Sequence, residues 1–278
     1  MRYILAFALC LMMPFAAFAQ DGDEEDRGFI AGLLENALGG DGRTVRIIGF
    51  SGALSSTARI TKITIADGEG IWLTLDDVAM TWNRSALLRG EIDIELLRAA
   101  SIDLPRLPIA EPGIDIPDAE ASPFALPDLP ASLRLAQLNI EVVSLGAPIL
   151  GEAADMSLTG SASLADGAGD AKLVAQRIDG ARASFNVDAS YANDTRALAL
   201  DITVSEAENG LISGLLDVPD RPSLDLTIQG DGMFSDFDAT LDLATNGEPR
   251  LNGTLALQAQ ADGPLTFDVD MDLSLIHI

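Results

Sequence analysis

One cysteine and one histidine are all that 278 residues contain. The cysteine, Cys10, lies in an apolar amino-terminal stretch, and the histidine, His277, is second from the end. A disulfide, a thiol nucleophile in the body of the chain and a zinc–thiolate centre therefore lack their parts. So do most nucleophilic and metal-hydrolytic arrangements, which need a placed histidine or cysteine. Basic residues are scarce as well: 17 Lys+Arg stand against 43 Asp+Glu, a formal net charge of −26. Phosphates are bound through clustered cations, so nucleic acid is excluded as a partner and anionic headgroups are repelled. Aromatic residues make up 5%, which leaves Leu, Ile, Val and Ala to supply the apolar surface. Together these absences argue against an enzyme and against any cofactor.

Two acidic alternatives carry little weight. Asp76-Asp77 has the residue types of a general acid–base pair, but strand neighbours point to opposite faces and cannot converge on one atom. The Asp-Gly-rich stretches invite calcium, yet none has the spacing of an EF-hand loop or a glycine-rich nonapeptide repeat. No metal site is expected. No phosphate loop or dinucleotide fingerprint opens a helix.

Residues 1–19, MRYILAFALCLMMPFAAFA, begin with one cation and run apolar to Ala17-Phe18-Ala19, the layout of a secretory signal peptide. An uncleaved anchor is the alternative, although the run is shorter than the ~20 residues of a comfortable spanning helix. Residues 20–27 read as an acidic linker. Gly28–Leu38 places Ile30, Leu33, Leu34, Ala37 and Leu38 on one helical face before Gly39-Gly40, an amphipathic helix that either plugs a sheet end or lies on a membrane.

From Gly49 the period of the apolar residues changes to two. Arg59–Ala66, Ile71–Trp82, Glu91–Leu97 and Ala100–Leu104 read as strands, with an Asp67-Gly68 turn and one helical turn, Ser85–Arg89, between them. A bulge at Asp76-Asp77 would let Leu73 and Leu75 share a dry face with Val78, Met80 and Trp82, leaving Trp72 partly wet. Ile92 and Ile94 continue that face. Seven prolines then fall within 105–130, so no central strand survives there and the stretch reads as a connection. It divides a first segment, 28–104, from a second, 131–278.

In the second segment alternation hardly stops. Leu133 and Leu135 are followed out of phase by Leu138 and Ile140, which predicts a bulge. Phe185 and Val187 come next, then Leu198, Leu200, Ile202 and Val204, then Leu224, Leu226 and Ile228, and finally Leu265, Phe267 and Val269. Asp166-Gly167, Asp179-Gly180, Asp231-Gly232, Asn246-Gly247, Asn252-Gly253 and Asp262-Gly263 are the expected hairpin turns. A helix over Ser205–Leu216, ended by Pro219 and Pro222, caps a dry face.

The fold class expected is all-β with a few short helices: a long antiparallel meander of roughly fifteen strands, ~70 Å from end to end at ~4.8 Å per strand. A sheet with one continuous apolar face must hide it. It can close on its own side chains or curl into an open groove filled by something else. Thin filling favours the groove, and phospholipid acyl chains suit it, each buried methylene contributing ~0.8 kcal/mol without a directional partner. The groove-lining candidates are the inward residues named above from Leu73 to Val269, Leu138 and Ile140 apart. The alternative is an acidic secreted stalk, adhesin-like, with a self-filled core.

The first segment also resembles a known family. Gly49-Phe50-Ser51-Gly52-Ala53-Leu54, Ile63-Thr64-Ile65-Ala66-Asp67, Gly70-Ile71-Trp72-Leu73, Leu75-Asp76-Asp77, Trp82, Ala86-Leu87-Leu88-Arg89-Gly90 and Ile102-x-Leu104-Pro105-Arg106 are similar to the amino-terminal region of the TamB family. These are AsmA-like envelope proteins, and the form resembled is the alphaproteobacterial one. Glu248-Pro249-Arg250-Leu251 and the Gly210–Leu216 helix resemble the same family. The resemblance implies a taco-like β-groove in the periplasm, held at the inner membrane by the amino end. It implies phospholipid transfer between the two membranes and support of outer-membrane protein assembly and secretion. It also implies an outer-membrane barrel partner of the Omp85 type, TamA-like, met through a carboxy-terminal region beyond this chain. The alternation breaks in mid-strand at Ser274–Ile278, as an amino-terminal fragment would.

Overall fold

Period-two alternation produces strands throughout. The computed structural model describes residues 43–52, 55–109, 125–127, 129, 131–259 and 265–273. The leader, the Gly28–Leu38 helix, the Asp262-Gly263 turn and Ser274–Ile278 lie outside them. The first strands are β1 (Thr44–Ile48), β2 (Thr57–Asp67), β3 (Gly70–Trp82) and β4 (Glu91–Leu104). After the proline-rich connection come β5 (Ser132–Leu145), β6 (Ala154–Ala165), β7 (Ala168–Arg177), β8 (Ala183–Ala192) and β9 (Ala197–Glu206). The last four are β10 (Leu224–Met233), β11 (Asp236–Thr245), β12 (Glu248–Ala259) and β13 (Leu265–Leu273). All thirteen form one sheet in sequence order, open and curled, with β1 and β13 at its two ends. At ~4.8 Å per strand it is about 58 Å across.

Glu91–Leu97 and Ala100–Leu104, expected as two strands, are one strand, β4. The two sheet segments are likewise hydrogen-bonded to each other, through β4 and β5. That pair is parallel, from Glu91 opposite Ser132 to Leu104 opposite Leu145, which corrects the expected all-antiparallel meander. Parallel neighbours need a crossover of a dozen or more residues, and the proline-rich connection supplies it. Every other pair is antiparallel.

Two expected turns are real hairpins with both residues at positive φ: Asp166-Gly167 (50° and 70°) and Asn246-Gly247 (52° and 75°). Asp231-Gly232 and Asn252-Gly253 are not turns; they lie inside β10 and β12. At Gly232 the lack of a side chain serves packing instead, since a Cβ there would come within 2.9 Å of the Asp236 carbonyl oxygen. The β10–β11 turn falls at Phe234-Ser235.

The helices sit at the two rims. A 3-10 helix, Arg84–Arg89, turns the corner between β3 and β4; the Asn83 side chain accepts the Ser85 N–H at its start and Gly90 ends it at φ +73°. Ala147–Leu150 forms α1 and Leu211–Leu215 forms α2. The helix expected over Ser205–Leu216 is thus shorter, because Ser205 and Glu206 remain in β9, paired with Asp225 and Leu224.

A half-open apolar floor as the candidate functional site

Cross-strand partners share a face, so the registers decide which residues make a floor. From β8 to β11 one rung reads Val187, Ile202, Ile228, Leu241, and the next Phe185, Val204, Leu226, Leu243. Polar residues take the other face: Asn186, Thr203 and Thr227 lie on the rung between these two, joined by the Asn186 Nδ2 to Thr203 Oγ1 hydrogen bond at 3.1 Å.

In β2 to β5 the parity slips along one line. Ile60, Val78, Ala99 and Ile140 form one rung, and Ile63, Leu75, Ile102 and Val143 the next floor rung, three residues away on every strand. β6 crosses the same interval in two residues, from Leu158 to Met156, and the mismatch is absorbed between Ile140 and Val143. Asp77 holds φ +49° on this line. The bulge expected at Asp76-Asp77 is therefore one link of a crease across four strands. It puts Leu73 and Leu75 on one face with Val78, Met80 and Trp82, as expected. The second expected slip, between Leu135 and Leu138, is also present.

The candidate lining residues from Leu73 to Ile228 thus fall on one face, but they are not equally open. Leu73, Leu75, Val78, Met80 and Ile94 are half-buried, as are Leu133, Leu135, Phe185 and Val187. Leu198, Leu200, Ile202, Leu226 and Ile228 are half-buried too. Trp82, Ile92, Val204 and Leu224 are buried by the protein itself and are unavailable to a guest. Leu265, Phe267 and Val269 stand opposite Ala259, Leu257 and Leu255 in the register.

Floor residues missed in the sequence lie mostly in β6 and β7: Met156, Leu158 and Leu164, with Leu173 opposite Gly160 and Val187. Their rungs are completed by Gly160, Ala162, Gly169 and Ala171. Small residues blunt the alternation, and the Asp166-Gly167 hairpin was the only strong signal there. This part of the floor is correspondingly shallow in side chains.

The rims are where the protein packs against itself. At one rim α2 folds over the ends of β9 and β10, and Leu211 is 1% exposed beneath it. The buried Glu206 carboxylate caps this helix, accepting the backbone N–H groups of Ile212 and Ser213 at 2.9 and 2.7 Å. Gly210 is required by that approach: a Cβ there would come within 2.2 Å of the carboxyl carbon. The loop is then tied across to the β5–β6 corner. Arg221 reaches Glu152 at 2.9 Å, and Arg177 reaches Glu152 at 3.0 Å and Asp179 at 2.8 Å. The Arg221 hydrogen bond, then that of Arg177, holds the Glu152 carboxyl below its ordinary range against the opposing effect of burial. Further along this rim Arg106 grips Asp67, Nη1 to Oδ2 at 2.8 Å. At the opposite rim Tyr191 and Phe234 meet edge to face, ring centroids 6.1 Å apart, and Trp82 donates from Nε1 to the Ser55 carbonyl at 3.0 Å.

Chemically, the arrangement offers a continuous hydrocarbon surface between two polar, ion-paired rims. It can hold apolar chains by contact area, without directional recognition. Comparison with family profiles, with curated proteins and with solved structures finds no match to this chain.

Proposed function

We propose that this chain is a groove-type carrier of phospholipid acyl chains in a Gram-negative envelope, the amino-terminal part of a TamB-like translocation and assembly component. In that reading the leader directs it to the periplasm at the inner membrane, and a longer parent meets an outer-membrane barrel.

The observation that supports the reading is the state of the floor at mid-strand. Leu200, Ile202, Phe185, Val187 and Ile228 are only half-buried, although they sit in the interior of a sheet with neighbours on both sides. In a sandwich the facing sheet would bury such residues to the level of a core. Among the described residues there is one sheet and no second layer.

Native mass spectrometry of residues 20–278 tests the reading. Phospholipid should co-purify and leave as an intact mass on activation. A clean apoprotein mass over repeated preparations, with no uptake from added phospholipid vesicles, would favour the self-filled acidic stalk.

A further inference from the structure

Ion pairs shape the α2 rim of the sheet into two apolar knuckles. The first is built on the β2–β3 hairpin. Arg106 pairs with Asp67, Nη1 to Oδ2 at 2.8 Å, and donates to the Gly70 carbonyl at 2.9 Å, while the Ile109 N–H donates to Asp67 Oδ2 at 3.0 Å. That grip holds Leu107 and Ile109 at the hairpin that carries Ile71, and all three are exposed. The second is built on Glu152, which joins Arg177, at the end of β7, to Arg221, in the loop after α2. Ile178 follows the first arginine, Leu215 and Leu216 lie at the end of α2, and again all three are exposed, Leu216 at 64%. The knuckles lie five strand spacings apart, about 24 Å.

Exposed aliphatic residues scattered singly need no explanation. These six are gathered on one rim. At the opposite rim the exposed large apolar residues, among those described, are Leu88 and Met233; Ile48 and Leu173 lie within β1 and β7. A protein partner recognises a continuous, shape-matched patch, whereas these side chains project from four separate connections. A bilayer interface makes no such demand and takes side chains by apolar area. The ion pairs ease that contact, because Asp67, Glu152 and Asp179 each have an arginine. Exposed beside the tips are Glu69, two residues from Ile71, and Asp217, next to Leu216. These carboxylates suit the ammonium end of a zwitterionic headgroup and are repelled by an anionic one.

We propose that this rim is a membrane-contact edge, whose two knuckles dip into the interface of a bilayer with zwitterionic headgroups. The sheet then rests on its edge, and the open floor begins at the headgroups, so that an acyl chain passes from bilayer to floor along the strands. One helix carries both surfaces: Leu211 of α2 is buried against the sheet, and Leu215 and Leu216 face outward. The proposal rests on the carrier reading for its partner, the bilayer that supplies the lipid.

The test is made in the full chain with Cys10→Ala, so that one introduced cysteine carries an environment-sensitive fluorophore. Leu107→Cys and Leu216→Cys place it on the two knuckles, and Leu88→Cys on the opposite rim; all three side chains are exposed, so labelling leaves the packing alone. The probe is a vesicle of phosphatidylethanolamine and phosphatidylcholine with nitroxide-labelled acyl chains. Quenching at the Leu107 and Leu216 sites should exceed that at the Leu88 site about threefold. Adding Ile178→Ser and Leu215→Ser should lower quenching at the Leu107 site by about half, because both knuckles meet one surface. Equal quenching at all three sites, a preference for the Leu88 site, no quenching, or no effect of the serine substitutions would each overturn the proposal. So would stronger quenching when phosphatidylglycerol replaces phosphatidylcholine. Native mass spectrometry reports on the carrier reading separately. Bound phospholipid without preferential quenching overturns the edge alone, and preferential quenching of a chain that takes up no phospholipid overturns the carrier alone.

Discussion

Glu206 accepts the backbone N–H of Ser213 at 2.7 Å although both residues are almost wholly buried, 3% and 0% exposed. A carboxylate on the apolar face is tolerable there because the backbone N–H groups of Ile212 and Ser213, at the start of α2, donate to it. Glu206→Ala should cost about 1–3 kcal/mol, the penalty of leaving those donors unpaired. Gly210→Ala should cost a comparable amount by displacing the same carboxylate. Urea unfolding of the two single variants and the double variant measures both, and the double should lose less than the sum because one contact is being removed twice.

Leu211 and Ile202 separate packing from guest binding. Leu211→Asp puts a charge under α2 where nothing can solvate it, and should unfold that rim. Ile202→Asp places a charge on the half-open floor. It should leave the circular dichroism spectrum and melting cooperativity near native while removing bound phospholipid in native mass spectrometry. Global unfolding of the Ile202 variant would mean that the floor is packed by protein.

Asp67 predicts the response to acid. The Arg106 hydrogen bonds, aided by the Ile109 and Glu69 N–H groups, hold its carboxyl well below the usual carboxylate range against partial burial. A depressed folded-state pKa adds stability above the unfolded value of about 3.9, and that stability is lost as pH falls towards the folded value. The native chain should therefore exceed Asp67→Asn in urea midpoint at pH 7. The gap should narrow below about pH 4, where the unfolded carboxyl takes up its proton.

Trp82 and Trp72 report on different environments. Trp82 is 7% exposed, whereas Trp72 is half-buried at the β3 residue left unpaired between Ile71 and Leu73. Trp82→Ala should cost about 3–5 kcal/mol, as buried aromatics do. Trp72→Phe should leave a single blue-shifted emitter that acrylamide quenches poorly, and Trp82→Phe the reverse. Tryptophan fluorescence with a chemical melt checks both.

Much of the fold is legible in the residues because a strand with one wet face writes its face into every second position. The inward faces of Leu198–Val204 and Leu224–Ile228 could be read directly, and so could the slip at Asp76-Asp77, since the apolar residues change parity there. What could not be read depends on partners distant in sequence. Asp231-Gly232 has turn chemistry, but the Asp236 carbonyl across the ladder leaves no room for a side chain, and the glycine accommodates it within a strand. β4 and β5 are parallel because of where a long connection happens to return, and no local pattern encodes that. The floor itself was legible as a surface. Helical turns at its ends were expected, at Ser85–Arg89 and over Ser205–Leu216; that Trp82, Ile92, Val204 and Leu224 are too buried to line a groove was not.

The crease through Ile60, Val78, Ala99 and Ile140 has a consequence for how such a chain can change over generations. Each of the four strands carries its additional residue at the same level, so each keeps oil on one side and charge on the other above and below it. A deletion in any single strand would invert half of that strand relative to its neighbours. Insertions and losses along this line can be inherited only as a matched set, whereas hairpins without the crease, such as β10–β11, are free to lengthen or shorten as separate pairs.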